Sequence, residues 1–330
     1  MPASPVRTVL SRLFGTLLQV TPILALAGLL LLGGGGCSLN RMVLRKAAGA
    51  LSGGSGTVFA GDDDPELIAD ALPFALKMHE SLLEGLPDDV DLLLATGSAF
   101  CSYAWAFIHL GADTLSDVHI ERKTAQLQRA KKMYLRARGY LLRALDVRYP
   151  GFSQLALSGN ADSALSLVRE RDTTLLYWTA NAWMGAFATD KFDMALSVST
   201  RVPVAFMQWV LDTNEGFGRG SVHDFFISWY GGLPASMGGS RERARHHYER
   251  SLELSAGRAA THIALATSVA QGEQNEQEFV SLLNAALALP TTEPSADRLV
   301  TVLNQRKARW LLANREQFFL PQDINGEWDE

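Results

Sequence analysis

Apolar positions along this chain recur at three- and four-residue spacing, and runs that alternate with a period of two are missing, so the pattern predicts helices throughout. A first helix is expected from Glu66 to about Leu86, ending at Pro87. Asp64 precedes it as a cap, Pro65 takes the first helical position and Glu66 enters the first turn. The acidic run Asp62-Asp63-Asp64 also admits a metal-site reading, which capping outweighs. Leu92 to Leu110 follows as a segment apolar on every face, hence a central helix buried all round. Thr174 to Ala188 has the same character, with Leu176, Trp183 and Phe187 along one stripe and Tyr177, Asn181 and Met184 along another. Two stripes need two walls. They are either packing between two helical layers or, on one side, the lining of a ligand cavity or channel, for which Tyr177, Trp178, Asn181 and Trp183 are the candidates. A buried amide at Asn181 must find partners, which keeps the cavity reading open. Gly and Pro fall between the helical runs, which supports an all-α fold.

Near the C-terminus two consecutive windows of equal length, Phe225 to Arg258 and Ala259 to Thr292, share the spacing of a helix-turn-helix repeat. In the first, Gly232, Ala244 and Ser251 stand where two helices cross closely, and Gly238-Gly239 marks the turn. In the second, Ala266 and Ala285 stand at such crossings and Gly272 at the turn, with Leu265, Leu282 and Pro290 completing the order. Small residues are needed at crossings because a larger side chain drives the backbones apart. The turn glycines suit a positive φ.

The N-terminus changes the compartment. Arg7 and Arg12 precede an apolar stretch from about Leu17 to Leu32, which ends in Gly33-Gly34-Gly35-Gly36-Cys37. This looks like a bacterial lipoprotein signal, with Cys37 carrying the lipid and its palmitate. Gly34 stands where leucine is usual in such signals. The alternative is an uncleaved anchor, against which positive charge lies on both flanks. The expected organisation is therefore a signal peptide over 1–36, a lipid anchor with a flexible Gly/Ser linker over 37–61, and a helical domain over 62–330. Ser38 rather than Asp follows Cys37, which by resemblance to Gram-negative lipoproteins implies the periplasm and the inner leaflet of the outer membrane rather than the inner membrane.

A formal charge of −5 on 330 residues excludes a dedicated nucleic-acid binder. Positive charge concentrates between Glu121 and Arg148, where Lys131 and Arg138 are candidates for partner docking, the other reading being a solvated helix face. Cys101 lies mid-helix among apolar neighbours and reads as structural. His246 and His247 are adjacent on a helix and point apart, so they do not chelate one ion together. Neither HExxH, CxxC, GxSxG nor a phosphate-binding glycine loop occurs. No metal, cofactor or enzymatic activity is therefore expected.

Several stretches taken together resemble one family, the T component (TatT) of tripartite ATP-independent periplasmic (TRAP) transporters. They are Asp62 to Leu67 with Ala71 to Lys77, Arg129 to Tyr140, Leu176 to Trp183, and Ala244 to Leu252. The resemblance runs from Cys37 to about Phe319. It implies a periplasmic lipoprotein of TPR-like helical repeats, an α-solenoid or helical bundle, that partners the solute-binding P component, and it brings no catalytic residues. The expected function is a lipid-anchored scaffold that binds the P protein and holds an apolar small ligand in a groove or pore. A homo-oligomer, such as a trimer, is a further expectation. The alternative is a stand-alone TPR-like lipoprotein of envelope assembly without a transporter partner.

Overall fold

The computed structural model describes residues 57–320 apart from residue 256; the signal peptide and Cys37 lie outside these described residues. The linker expected to reach Gly61 gives way earlier, to one helical turn at Thr57–Ala60. The described residues are all-helical and contain no strand. The helices used below are α1 (Pro65–Gly85), α2 (Val90–Ala104), α3 (Ile120–Arg148), α4 (Phe152–Leu157), α5 (Ala161–Leu165), α6 (Thr173–Thr189), α7 (Met194–Ser199), α8 (Arg201–Thr213), α9 (Ser221–Gly232), α10 (Arg241–Leu254), α11 (Ala259–Leu265), α12 (Glu276–Leu287) and α13 (Arg298–Ala313).

Local chemistry explains the helix starts. The Asp64 carboxylate accepts from the Leu67 amide at 3.0 Å with Pro65 at the first position, and Asp89 does the same for Leu92 at 3.1 Å. Asp193, Ser240 and Asn275 cap α7, α10 and α12 in this way. Each such bond satisfies one amide that the helix leaves without an internal partner.

Gly and Pro do not stay between the helices, contrary to the sequence reading. Pro73 lies inside α1, and Gly97, Gly139 and Gly185 lie inside α2, α3 and α6. Two of these glycines set helix separation. A Cβ on Gly97 would meet Leu141 of α3 at 2.5 Å, and one on Gly185 would run into the Tyr134 ring of α3.

α3 is the long spine. It packs against α2 on one side and α6 on the other, and α6 packs in turn on α8. The C-terminal half continues as α9 with α10, then α11 with α12, then α13. A single core connects the two halves, from Leu76 in α1 to Leu311 in α13. The last helix returns to the first: α13 packs on α1 and on Thr57–Ala60, Arg306 pairs with Glu66, and Arg298 reaches Asp63 at 2.5 Å. In a simple open solenoid each unit meets only its neighbours, so this return contact departs from that expectation.

Each repeat window holds two helices joined by a turn, but the sequence register slips at several places. Ala244, Ser251 and Ala266 are fully buried as expected. Gly232 is exposed with nothing near its Cβ position, whereas at Gly231 a Cβ would meet Ser268 and Val269. Likewise Ala286, not Ala285, is fully buried. Gly238 has the anticipated positive φ of 89°; in the second turn Gln274, at φ 55°, takes the left-handed position assigned to Gly272. The Gln274 side chain explains why a non-glycine is held there. Its amide donates to the Phe318 carbonyl at 3.2 Å and accepts from the Leu320 amide at 2.9 Å, tying down the C-terminal segment.

Candidate functional site

Helix α2 does not end at Ala104 but passes through a π-helical turn, Trp105–His109, and one more turn of α-helix to Asp113. A second π-helical turn, Ala266–Ala270, extends α11. A π-turn inserts one residue and rotates everything after it relative to the helix before it, and such turns concentrate at functional sites. Both lead to one cleft of about 340 Å³, lined by Asp113, Thr114 and Leu115 beyond the first turn and by Thr267 within the second. Trp310, Leu311 and Phe318 supply its apolar wall, and Lys123 and Lys307 its positive charge. Lys307 lies 3.4 Å from Asp113, which lies 3.6 Å from His109. The Trp310 and Phe318 rings meet edge to face at 6.0 Å. Aromatic and charged side chains thus meet in one open cleft whose lining also includes Gln317.

Behind the cleft, His109 Nδ1 lies 3.2 Å from the Tyr134 hydroxyl, and the rings meet edge to face. Burial pushes the His109 pKa down and the Tyr134 pKa up, so both are neutral at pH 7. Gln126, about two turns before Tyr134 in α3, keeps a buried Oε1 without a hydrogen-bond partner.

The four aromatic-helix candidates divide. Tyr177, Trp178 and Asn181 are half-buried, whereas Trp183 is 1% exposed. The Trp183 indole donates to the Ser199 hydroxyl at 2.9 Å, and the Arg138 guanidinium lies 4.6 Å above its ring. Trp183 is therefore core. The Tyr177 ring packs against Phe217 at 4.9 Å and Trp178 at 5.6 Å. The Asn181 amide donates to the Tyr177 carbonyl one turn back, at 2.9 Å, so its own helix supplies the partner its burial demanded.

Lys131 and Arg138 also turn to internal contacts. Lys131 bridges Asp190 and Asp193 at 2.8 and 2.6 Å, which holds its pKa above the usual lysine value and theirs below the usual carboxylate value. Burial lowers the Arg138 pKa, an effect compatible with its seat over Trp183. Arg136 pairs with Glu80, and Arg143 and Arg148 lie 3.8 and 3.7 Å from Asp88 and Asp172. Lys131 and Arg136 are thus answered closely by acids from other segments and Arg143 and Arg148 only loosely, while Arg138 is seated on Trp183, so Lys131 and Arg138 are not free cations for docking.

The remaining reactive candidates are packed away. Burial pushes the Cys101 thiol up to about 12, where it stays protonated. His247 stacks on Phe226 and Tyr230 at 5.0 and 5.6 Å and meets His223 nitrogen to nitrogen at 2.9 Å. Among the described residues no group of three or more His, Cys, Asp or Glu could hold a metal.

Residues 61–319 match the family described as TAtT, TRAP transporter T-component. The chain belongs to that family. A protein of Treponema pallidum (strain Nichols), described as uncharacterized, is 32% identical to this T component over 267 residues, 80% of this chain and 83% of that protein. The family expectation drawn from the quoted stretches is correct. The T component is a transporter part rather than a member of an enzyme family, and its family implies association with the P and Q/M components of a TRAP transporter.

The sequence reading missed the cleft altogether. Its walls come from segments as distant as Leu115 and Phe318, and a π-turn has no signature in residue type. The one available hint was Trp105 to His109, a cluster of large rings at the end of a helix apolar on every face.

Proposed function

We propose that this T component is a periplasmic, lipid-anchored scaffold of TPR-like helix pairs that binds the P component of its transporter. It holds an apolar ligand with a polar end in the cleft between the two π-turns. The observation that carries the ligand reading is the Leu115, Trp310, Leu311 and Phe318 wall beside Lys123 and Lys307. The half-buried face of Tyr177, Trp178 and Asn181 is the candidate surface for partner contact. The lipid at Cys37 supplies the membrane attachment, and the inner leaflet of the outer membrane is its proposed location.

Purification of the native lipidated protein in mild detergent, with mass spectrometry of whatever accompanies it, tests both halves of this reading. A solute-binding protein and an apolar small molecule should co-purify, and Trp310→Ala should lose the small molecule while keeping the protein. Co-purification of envelope proteins alone refutes the transporter role. Metabolic labelling with palmitate tests the anchor. Label should enter the wild type and not Cys37→Ser, and label in both would refute lipidation at Cys37.

A further inference from the structure

A second pocket, of about 300 Å³, opens at the far end of α3 and is lined by Arg148, Tyr149, Pro150, Leu167, Arg169 and Arg171. By the volume of liquid water it has room for about ten molecules. Three guanidiniums line it on a protein whose net charge is −5.

The acid beside them is already committed. Asp172 is 4% exposed, and its Oδ2 accepts from the Tyr149 hydroxyl at 2.6 Å. That hydroxyl in turn accepts from the Arg169 amide at 3.1 Å, which fixes the loop against the helix end. Arg148 Nε stands 3.7 Å from Asp172 Oδ1, and Arg171 Nε stands 3.5 Å from Oδ2. Neither separation is a good hydrogen bond. The Arg148 Nε atom is buried and has no hydrogen-bond partner, and Arg169 is exposed at the rim. A buried donor without an acceptor is costly, and like charges gathered in one pocket add to that cost unless an anion joins them.

We propose that this pocket binds a phosphate group. Three guanidiniums less the Asp172 carboxylate leave two positive charges, which match the roughly −1.5 to −2 of a phosphate monoester at pH 7. Guanidinium forks donate in pairs to such oxygens. Leu167 and Pro150 offer an apolar flank to whatever carries the phosphate. The site is separate from the cleft between the π-turns and shares no lining residue with it, so it stands or falls independently of the proposed ligand role.

The test uses full-length protein in detergent with inorganic phosphate as the probe, read by calorimetry. A second arm titrates a short-chain, water-soluble phosphatidic acid and, as its control, phosphatidylcholine of the same chain length. Phosphate binding about tenfold weaker in Arg169→Gln is expected, because the variant loses a charge-assisted fork to the phosphate oxygens. Leu167→Glu should also abolish binding by placing a carboxylate at the rim, and both positions are exposed, so the fold survives. Binding of free phosphate identifies a soluble ligand, and Arg169-dependent binding of the short-chain phosphatidic acid alone identifies a lipid headgroup. Binding in neither arm overturns the proposal, as does binding that Arg169→Gln leaves unchanged or that chloride displaces as well as phosphate does.

Discussion

Gly97→Ala should destabilise the protein even though alanine is the better helix former. A Cβ on Gly97 would stand 2.5 Å from Leu141 Cγ, 2.9 Å from Leu141 Cδ2 and 3.1 Å from the Ala137 carbonyl oxygen. Carbon atoms in contact settle near 3.5–4.0 Å, so α2 and α3 must part by about 1 Å or Leu141 must leave its rotamer. Leu141 is fully buried and has no solvent to swing into. Overpacking of this kind costs about 1–3 kcal/mol, and the propensity gain of Gly to Ala returns only about 0.5–1 kcal/mol. Gly139 provides the control. It lies in α3, exposed, with nothing within 4 Å of its Cβ position, so Gly139→Ala collects the propensity gain alone. At roughly 2–4 °C per kcal/mol, Gly97→Ala should lower the melting temperature by a few degrees and Gly139→Ala should raise it. Melting followed by helical circular dichroism decides it. A Gly97→Ala variant that melts at or above the wild type would refute the close crossing. Because α2 runs on through the first π-turn to Asp113, the same variant should also weaken capture of an apolar ligand in the cleft.

Two further predictions concern the aromatic helix and the buried histidines. Trp183→Ala should cost about 3–5 kcal/mol, while the double variant Tyr177→Ala with Asn181→Ala should melt nearer the wild type and lose P-component capture per folded molecule. Melting curves beside a pull-down separate the two outcomes, and a double variant that is destabilised with normal capture returns both residues to the core. Burial and the neighbouring His223 and His246 lower the His247 pKa to about 4, so the unfolded chain binds its proton first as pH falls. Stability should be fully present above about pH 6.5 and decline towards pH 4, and His247→Gln should flatten that slope in chemical denaturation; an unchanged slope would contradict a buried neutral imidazole.

Much of the local structure was legible in the sequence because its causes lie within a few residues. Asp64, Pro65 and Glu66 announce the start of α1 through capping and backbone geometry. The apolar runs of α2 and α6 announce burial, and the order of segments announces the family. Where the reading slipped, the deciding contact came from elsewhere in the chain. Gly231 rather than Gly232 meets the π-turn Ala266–Ala270, Gln274 holds a left-handed turn because Phe318 and Leu320 need its side chain, and Lys131 finds its acids in the turn before α7.

The sequence by itself determined an all-helical chain of this family with inert buried Cys101, because periodicity, caps and apolar runs act over one or two helical turns. The tertiary structure alone decided which charges remain available and where a ligand could sit. The ion pairs of Lys131 and Arg136 join residues tens of positions apart, and the cleft exists only because two π-turns and α13 converge on it. Such convergence depends on how helices pack in space, and a helix's own pattern encodes which face is buried but not which distant face covers it.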